Sequence, residues 1–377
     1  MSEYQYVGFR AVDAPLSDDQ LQYMEERSSR AEVTRWSFDI EYHYGDFRGN
    51  PVEMLRRGYD VHLHYANFGI RKLMFRLPSG LPIPEALCSE YLLGDAVSWK
   101  ADPEGPAGTL TISATGELPG LDDLFDLDEH LDGVVGVRQQ LLDGDVRPLY
   151  AAWLCGCHCG DFDWESEVEP SVPAGLDTVS EPVSAMLEFF GVSPFVLAAA
   201  GDSSHPLPEQ ADRGVVMGRW LKSIRAETLR AWLLRFLVDE PALAKSECLQ
   251  AFRESNRIPQ WPVTKGTRTF AQLVSRAEEH ADVERQREQQ RGQEARRTRL
   301  AEMAESPQKY LEEVDRAVAM RGRDGYQKAA NLLSELQEAI GGPKGEKLVR
   351  KHAAHLAKKH PTLRMLTGAL RRKGLLS

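Results

Sequence analysis

Apolar and polar residues alternate over much of the first third of the chain. Residues 33–44, VTRWSFDIEYHY, place Trp36, Phe38, Ile40, Tyr42 and Tyr44 on one side, the period of a half-buried strand. YQYVGFRAV at 4–12 and IRKLMFRLP at 70–78 are rich in β-branched and aromatic residues and predict two further strands, the second closed by Pro78. Residues 97–101 and 109–115 predict two more. Helical signals lie between them. Ser17 followed by Asp18, Asp19 and Gln20 predicts a capped helix start. Residues 51–67 set Leu55, Tyr59, His62, Leu63 and Ala66 on one helical side, with Gly69 as the stop, and 84–93 predicts a further helix. The first 118 residues thus predict a small α/β head, one sheet with helices on one face.

Strand patterns stop past 120. Helices are expected over 129–142, 146–159, 182–190, 193–200, 210–222, 224–238 and 240–254, punctuated by Pro148, Pro170, Pro173, Pro206 and Pro208. Residues 161–181 form an acidic, proline-containing loop, and 255–267 a second linker. Residues 268–304 predict one long helix. Between 276 and 302, 14 of 27 residues are charged and no sustained heptad is present, so a solvated spacer is favoured over a coiled coil, with Gly292 as a candidate hinge. Glu284–Arg287, Glu288–Arg291 and Glu294–Arg297 are spaced i,i+3 as exposed pairs.

The tail predicts a helical hairpin. Leu311, Val314 and Val318 face inward, RGRDG at 321–325 turns, and Tyr326, Ala329, Ala330, Leu333, Leu336 and Ile340 form the next apolar stripe. After Gly341, Gly342 and Pro343, a further helix runs to His360-Pro361, and a short one follows. The expected fold class is α+β: a head at 1–118, a helical domain at 119–258, a linker and long charged helix at 259–304, and a basic helical tail at 305–377.

The length, 377 residues, exceeds what one core usually serves, which agrees with several domains. Hydrophobic residues at 42% and charged residues at 27% exclude collagen-like, wholly disordered and disulfide-scaffold classes. Five cysteines, at 88, 155, 157, 159 and 248, are an odd and sparse set, which favours a reducing compartment. The N-terminus lacks the basic start and apolar core of a signal peptide, and the apolar stretches 195–200 and 231–238 are too short to span a bilayer. A cytoplasmic protein without a membrane partner is expected. GxxxxGK[ST], GxGxxG after a strand, HExxH and GxSxG are all absent, so the commonest nucleotide, metalloprotease and hydrolase routes have no support.

Charge is distributed unevenly. The net charge is −11, but residues 265–377 carry 24 Lys and Arg against 15 Asp and Glu, which leaves −20 on the first 264. The last 34 residues hold ten of those cations and one acid, Glu346. Lys347, Lys351, His355 and Lys358 fall on one side of a helix whose other side carries Val349, Ala353 and Leu356. Lys359, Arg371, Arg372 and Lys373 extend the basic set. Such a face suits an acidic partner protein or nucleic acid. Its bland counterpart is neutralisation of the chain's own acidic stretch, where 101–181 holds 18 acids and two arginines.

Three other clusters are candidates for chemistry. Cys155, His158 and Cys159 share a helical face and are zinc-type ligands, but no second pair completes the usual set unless His205 or Cys248 folds back; packed core thiols are the commoner reading. Glu41 and His43 with Asp60, His62 and His64 would suit a metal or acid–base chemistry, although helical geometry over 51–67 spreads the last three over different sides. The head's aromatics, Trp36, Phe38, Tyr42, Tyr44, Phe47, Tyr59, Tyr65, Phe68 and Phe75, beside Arg48, Arg71, Lys72 and Arg76, would suit base stacking, against the commoner role as core.

The segments SEYQYVGFRAVDAPLS, EYHYGDFRGNP, ANFGIRKLMFRLP and DGYQKAANLLSEL resemble a group of uncharacterised bacterial proteins that share this opening and a helical hairpin near the end. The resemblance implies a bacterial source and a modular layout, and it assigns no catalytic residue. The expectation is a non-enzymatic, cofactor-free adaptor or scaffold subunit of a multi-protein complex, binding an acidic partner through its C-terminal helices. A nucleic-acid-binding subunit, as in a phage-defence system, is the alternative, and a metal-dependent enzyme using the Cys/His clusters is the third.

Overall fold

The computed structural model describes residues 3–45, 47–78, 81–105, 107–116, 126–160, 162–207, 213–238, 241–255 and 260–376. The fold is α+β, an antiparallel sheet region followed by many helices. The chain divides into two compact units, residues 1–281 and 282–377.

The first unit is built on seven strands: β1 (Gln5–Arg10), β2 (Glu32–Val33), β3 (Ser37–Tyr42), β4 (Val61–Ala66), β5 (Ile70–Leu77), β6 (Val97–Ala101) and β7 (Gly108–Thr115). Their order is β2-β3-β1-β4-β5-β7-β6, all antiparallel. Successive residues of β1 serve opposite faces. Val7 and Phe9 join a core with Phe38, Ile40, Leu16 and Met24 of helix α1 (Asp18–Glu25), and Met54 and Leu55 of α2 (Pro51–Arg57). Tyr6 joins the opposite core with Leu63, Phe75 and Ile112, covered by α4 (Leu127–Leu142) and α5 (Arg147–Cys159). Helices therefore cover both faces, where one covered face was expected. β1 and β4 are accordingly buried at almost every position, including Gln5 and His62. Helix α3 (Glu85–Glu90) lies between β5 and β6 in the chain.

The helix expected over 51–67 is instead α2 followed by strand β4. Asn50 caps α2 through a bond from the Glu53 amide, and the helix stops at Gly58. VHLHYA then alternates: Val61, Leu63 and Tyr65 enter one core, while His62 stacks on Phe9 of the other. Pairing with β1 and β5 on both sides overrides a helical spacing that is only a few residues long.

The core that receives Tyr6 runs on past position 118. It takes in α4, α5, α6 (Glu181–Phe189), α7 (Pro194–Gly201) and the first turns of α11 (Phe270–Glu305), through Phe270, Leu273 and Ala277. The residues around the boundary itself, 117–125, lie outside those described. The described end of the expected 255–267 linker, residues 260–267, is packed into the same unit. β9 (Val263–Thr264) pairs with β8 (Val172–Pro173), and the Trp261 indole donates to the Ala174 carbonyl. The acidic stretch also contributes buried residues, Val172, Ala174 and Leu176. Glu169, 3% exposed, accepts from Tyr150 and from both faces of the Arg268 fork. Arg268 also donates to the carbonyls of Ala199 and Ala200. One guanidinium thus ties the acidic stretch to the end of α7 and the start of α11. Three further helices, α8 (Arg213–Leu221), α9 (Ala226–Val238) and α10 (Pro241–Ser255), follow α7 in the chain.

Helix α11 continues through Gly292, the candidate hinge. Of the expected pairs along it, Glu284–Arg287 forms at 3.5 Å, whereas Arg291 reaches back to Glu284.

The second unit contains α12 (Pro307–Ala319), α13 (Arg323–Ile340), α14 (Gly342–Lys359) and α15 (Arg364–Arg372), with the end of α11. Met303, Tyr310, Leu311, Val314 and Val318 meet Tyr326, Ala330, Leu333 and Leu336 in one core, which Val349, Ala353, Leu356, Leu366 and Leu370 complete. α13 is the central element, packed by α12, α14 and α15. Gly325 permits the closest approach: a Cβ there would lie 2.6 Å from the Ala317 carbonyl oxygen.

Candidate partner-binding surface

Apolar residues Val349, Ala353 and Leu356 recur at i, i+4 and i+7, so they lie along one side of α14. Each is at most 1% exposed in the second core. The opposite side must then face water. Lys347, Lys351, His355 and Lys358 stand there, all exposed, and Lys359 is exposed beside them. α15 repeats the pattern at smaller scale. Leu366, Ala369 and Leu370 are buried, and Arg371, Arg372 and Lys373 at its end are exposed. Arg371 and Arg372 occupy the last helical turn, where cations also favour the negative end of the helix dipole.

Specific contacts fix the orientation of this surface. His352 on α14 bonds through Nε2 to Asp315 Oδ1 of α12 at 3.1 Å. Arg372 donates to Gln327 Oε1 of α13 at 3.3 Å. Lys328 of α13 pairs with Glu313 of α12 at 3.3 Å. The tip of α11 adds Arg296–Glu338 at 2.7 Å and Arg299–Glu335 at 2.9 Å to α13. Glu313, Asp315, Glu335 and Glu338 of α12 and α13 thus meet other side chains, and Lys347, Lys351 and Lys358 form no ion pair among the described residues. Sequence reasoning omitted Lys344, Arg350 and Arg364, which are exposed too; Arg350 pairs with Glu346 at 3.0 Å. Their signal was the tail's overall charge count, not a helical spacing.

The cysteine cluster lies on α5 inside the first unit. Cys155 and Cys157 are buried and Cys159 is partly so. Burial raises all three thiols, Cys155 well above its ordinary value and Cys159 to about 11 even though the nearby Arg71 cation lowers it. The Cys159 thiol donates to the Phe190 carbonyl at 3.2 Å. Burial and the Arg71 charge together lower the basicity of His158. Among the described residues, no three His, Cys, Asp or Glu side chains are grouped to hold a metal ion. Neutral thiols packed beside Trp153 and Leu154 are core material.

The second cluster separates on the strands. Glu41 accepts from the Tyr4 hydroxyl at 3.0 Å, and the His43 ring lies 5.7 Å from that of Tyr4. Asp60 is buried with Arg138. His62 is fully buried, with Nδ1 3.0 Å from the Gly8 carbonyl, and burial takes its pKa down to about 3. His64 Nε2 lies 3.1 Å from Gln5 Oε1. The aromatic set divides too. Phe38, Tyr59, Tyr65 and Phe75 are core, Tyr42 and Phe47 are half-buried, and Trp36, Tyr44 and Phe68 are exposed. With helices on both faces, this sheet presents no open aromatic platform of the stacking kind.

No family model, no curated protein and no solved structure matches the chain. No helix among the described residues is long and apolar enough to cross a membrane.

Proposed function

We propose that the chain is an adaptor subunit of a bacterial multi-protein complex, and that α14 and α15 dock it onto an acidic partner protein. One observation carries the reading. Lys347, Lys351, His355 and Lys358 are exposed along α14 while Val349, Ala353 and Leu356 on its other side are buried. A cationic side held outward by a packed apolar side is pre-oriented, so binding spends little free energy on ordering it. In this reading the chain catalyses nothing, carries no cofactor and works in the cytoplasm. Its five cysteines are all free thiols, which accords with a reducing compartment.

The test uses the full chain with a fluorescent poly-glutamate peptide and, separately, a 20-base-pair DNA duplex. The adaptor reading expects salt-sensitive peptide binding that slows in association when Lys347, Lys351 and Lys358 become Glu. Duplex binding stronger than peptide binding, falling by about 0.9 log units per log of salt for each neutralised phosphate, would replace it with a nucleic-acid-binding subunit. Binding to neither overturns both.

A further inference from the structure

Three strands set one row of polar side chains against α2. The ladders pair Arg76 of β5 with Thr109 of β7, and Thr109 with Lys100 of β6. Residues directly opposite in a ladder share a face, with Cβ atoms about 5 Å apart. Met74, two residues before Arg76, enters the core with Met54 and Leu55 of α2, so the row lies on the side that α2 covers. There Val52 and Arg56, one helical turn apart on α2, line a small cavity together with the row, and Asp102 of the β6–β7 turn lines it too. The cavity encloses about 30 Å³. That is about two to three times the room one water needs.

Arg76 is the unusual member. Its backbone is pinned, since its amide donates to the Asp60 carbonyl and its carbonyl accepts from Arg138. Its side chain forms no hydrogen bond or ion pair among the described residues, and Nε is buried without a partner. A buried guanidinium N–H without an acceptor calls for an ion or a water that supplies one. Lys100 is exposed and forms no ion pair among the described residues. The acids nearby are engaged elsewhere. Glu53 bonds to Arg56 and Arg57, Glu104 bonds to Arg56, and Asp102 accepts from the Glu104 amide at 3.0 Å. Arg76 and Lys100 thus carry positive charge that no carboxylate pairs, with the Thr109 hydroxyl in the row between them.

A tetrahedral dianion suits this arrangement. Its separate oxygens can accept from Arg76, Lys100 and the Thr109 hydroxyl at once, whereas a planar carboxylate offers only two oxygens. We propose that the row Arg76, Thr109 and Lys100 beside α2 binds a phosphate group, as the free ion or as the end of a small phosphomonoester. The cavity is too small for more than that group, so the remainder of an ester stays outside it. The site lies in the first unit and does not depend on the role given to α14 and α15.

Inorganic phosphate is titrated into the full chain by calorimetry at about pH 8, where the dianion dominates. Acetate at the same ionic strength is the control. Saturable binding of one phosphate per chain is expected, weakened about tenfold by Arg76→Met, severalfold by Lys100→Gln, and unaffected by Lys347→Glu with Lys351→Glu. Arg76→Met keeps the apolar stem and removes a charge that has no partner, so its melting temperature without phosphate is expected at or above that of the wild type. A drop there would show the side chain serving the fold, and Lys100→Gln, at an exposed position, then carries the test. Ribose 5-phosphate in the same titration separates the two sources: binding of both ligands assigns the ester, and binding of inorganic phosphate alone assigns the free ion. Four outcomes overturn the proposal: no saturable binding, acetate binding as tightly as phosphate, binding unchanged in both Arg76→Met and Lys100→Gln, or binding that is lost with the α14 lysines.

Discussion

Arg138 on α4 and Asp60 at the entrance to β4 lie 3.1 Å apart, with their side chains only 3% and 5% exposed. Two backbone amides, of Val12 and Asp13, donate to the other Asp60 oxygen at 2.7 and 3.0 Å. Arg138 also forks onto the Asp13 carboxylate and donates from Nε to the Arg76 carbonyl. Burial raises the Asp60 pKa despite the cation beside it. The arrangement latches α4 onto the strand ends. Arg138→Ala is expected to lower unfolding stability by about 3–5 kcal/mol, because it strands a buried carboxylate. Adding Asp60→Asn is expected to restore part of that loss. Urea denaturation of the two variants measures both.

His62 predicts an acid limit to stability. Its folded pKa of about 3 lies below the value of about 6.5 for an unfolded histidine. Below pH 6.5 the unfolded chain therefore takes up a proton that the folded chain refuses. The stability present above that pH is lost progressively as pH falls toward 3, by about 1.4 kcal/mol per pH unit for one group. His62→Phe, which keeps the ring against Phe9 and cannot be protonated, is expected to flatten this share of the profile. An unchanged pH slope in the variant would exclude His62 as its source.

The two units are expected to unfold as separate transitions. All seven tryptophans lie before residue 262, so indole fluorescence reports only the first unit, whereas helical circular dichroism reports both. Gly325→Val would place its Cβ against the Ala317 carbonyl. A loss of about 1–3 kcal/mol in the second unit follows from such overpacking. The helical signal should then melt earlier while the fluorescence transition stays in place. Coincident shifts of both signals would show that the units unfold together.

Reversal of Lys347, Lys351 and Lys358 to Glu is expected to leave the helical melting temperature within about 2 °C of the wild type, as for other exposed positions. A larger drop would mean that these lysines hold the fold together instead of meeting a partner.

Much of this organisation is legible in the sequence where a period is long and its chemistry one-sided. α14 repeats its apolar residues at i, i+4 and i+7 with lysines on the opposite side, so both its buried side and its basic side follow from spacing alone. β4 is harder. Within the stretch 55–66, Leu55, Tyr59, Leu63 and Ala66 fit a helix as well as Val61, Leu63 and Tyr65 fit a strand. Only the ladders to β1 and β5 decide between them. The covering of both sheet faces depends on helices drawn from residues 127–159, too distant for local pattern to assign. In α9, the run of apolar residues at 231–238 is plain, but its exposure is a tertiary fact that no helical period reports.

The place of Phe270 in the first core carries a consequence for synthesis on the ribosome. β1 stands far ahead of α11 in the chain, yet the core that Tyr6 enters also needs Phe270, Leu273 and Ala277. Domains tend to fold as units as the chain emerges. The sheet, whose last strand ends at Thr115, must therefore wait, with part of its apolar surface uncovered, for about 155 further residues until Phe270. The second unit draws its core from residues close together in the chain and can close soon after its last helix appears. The nascent sheet, not the tail, is the stretch that calls for protection by a chaperone while translation proceeds.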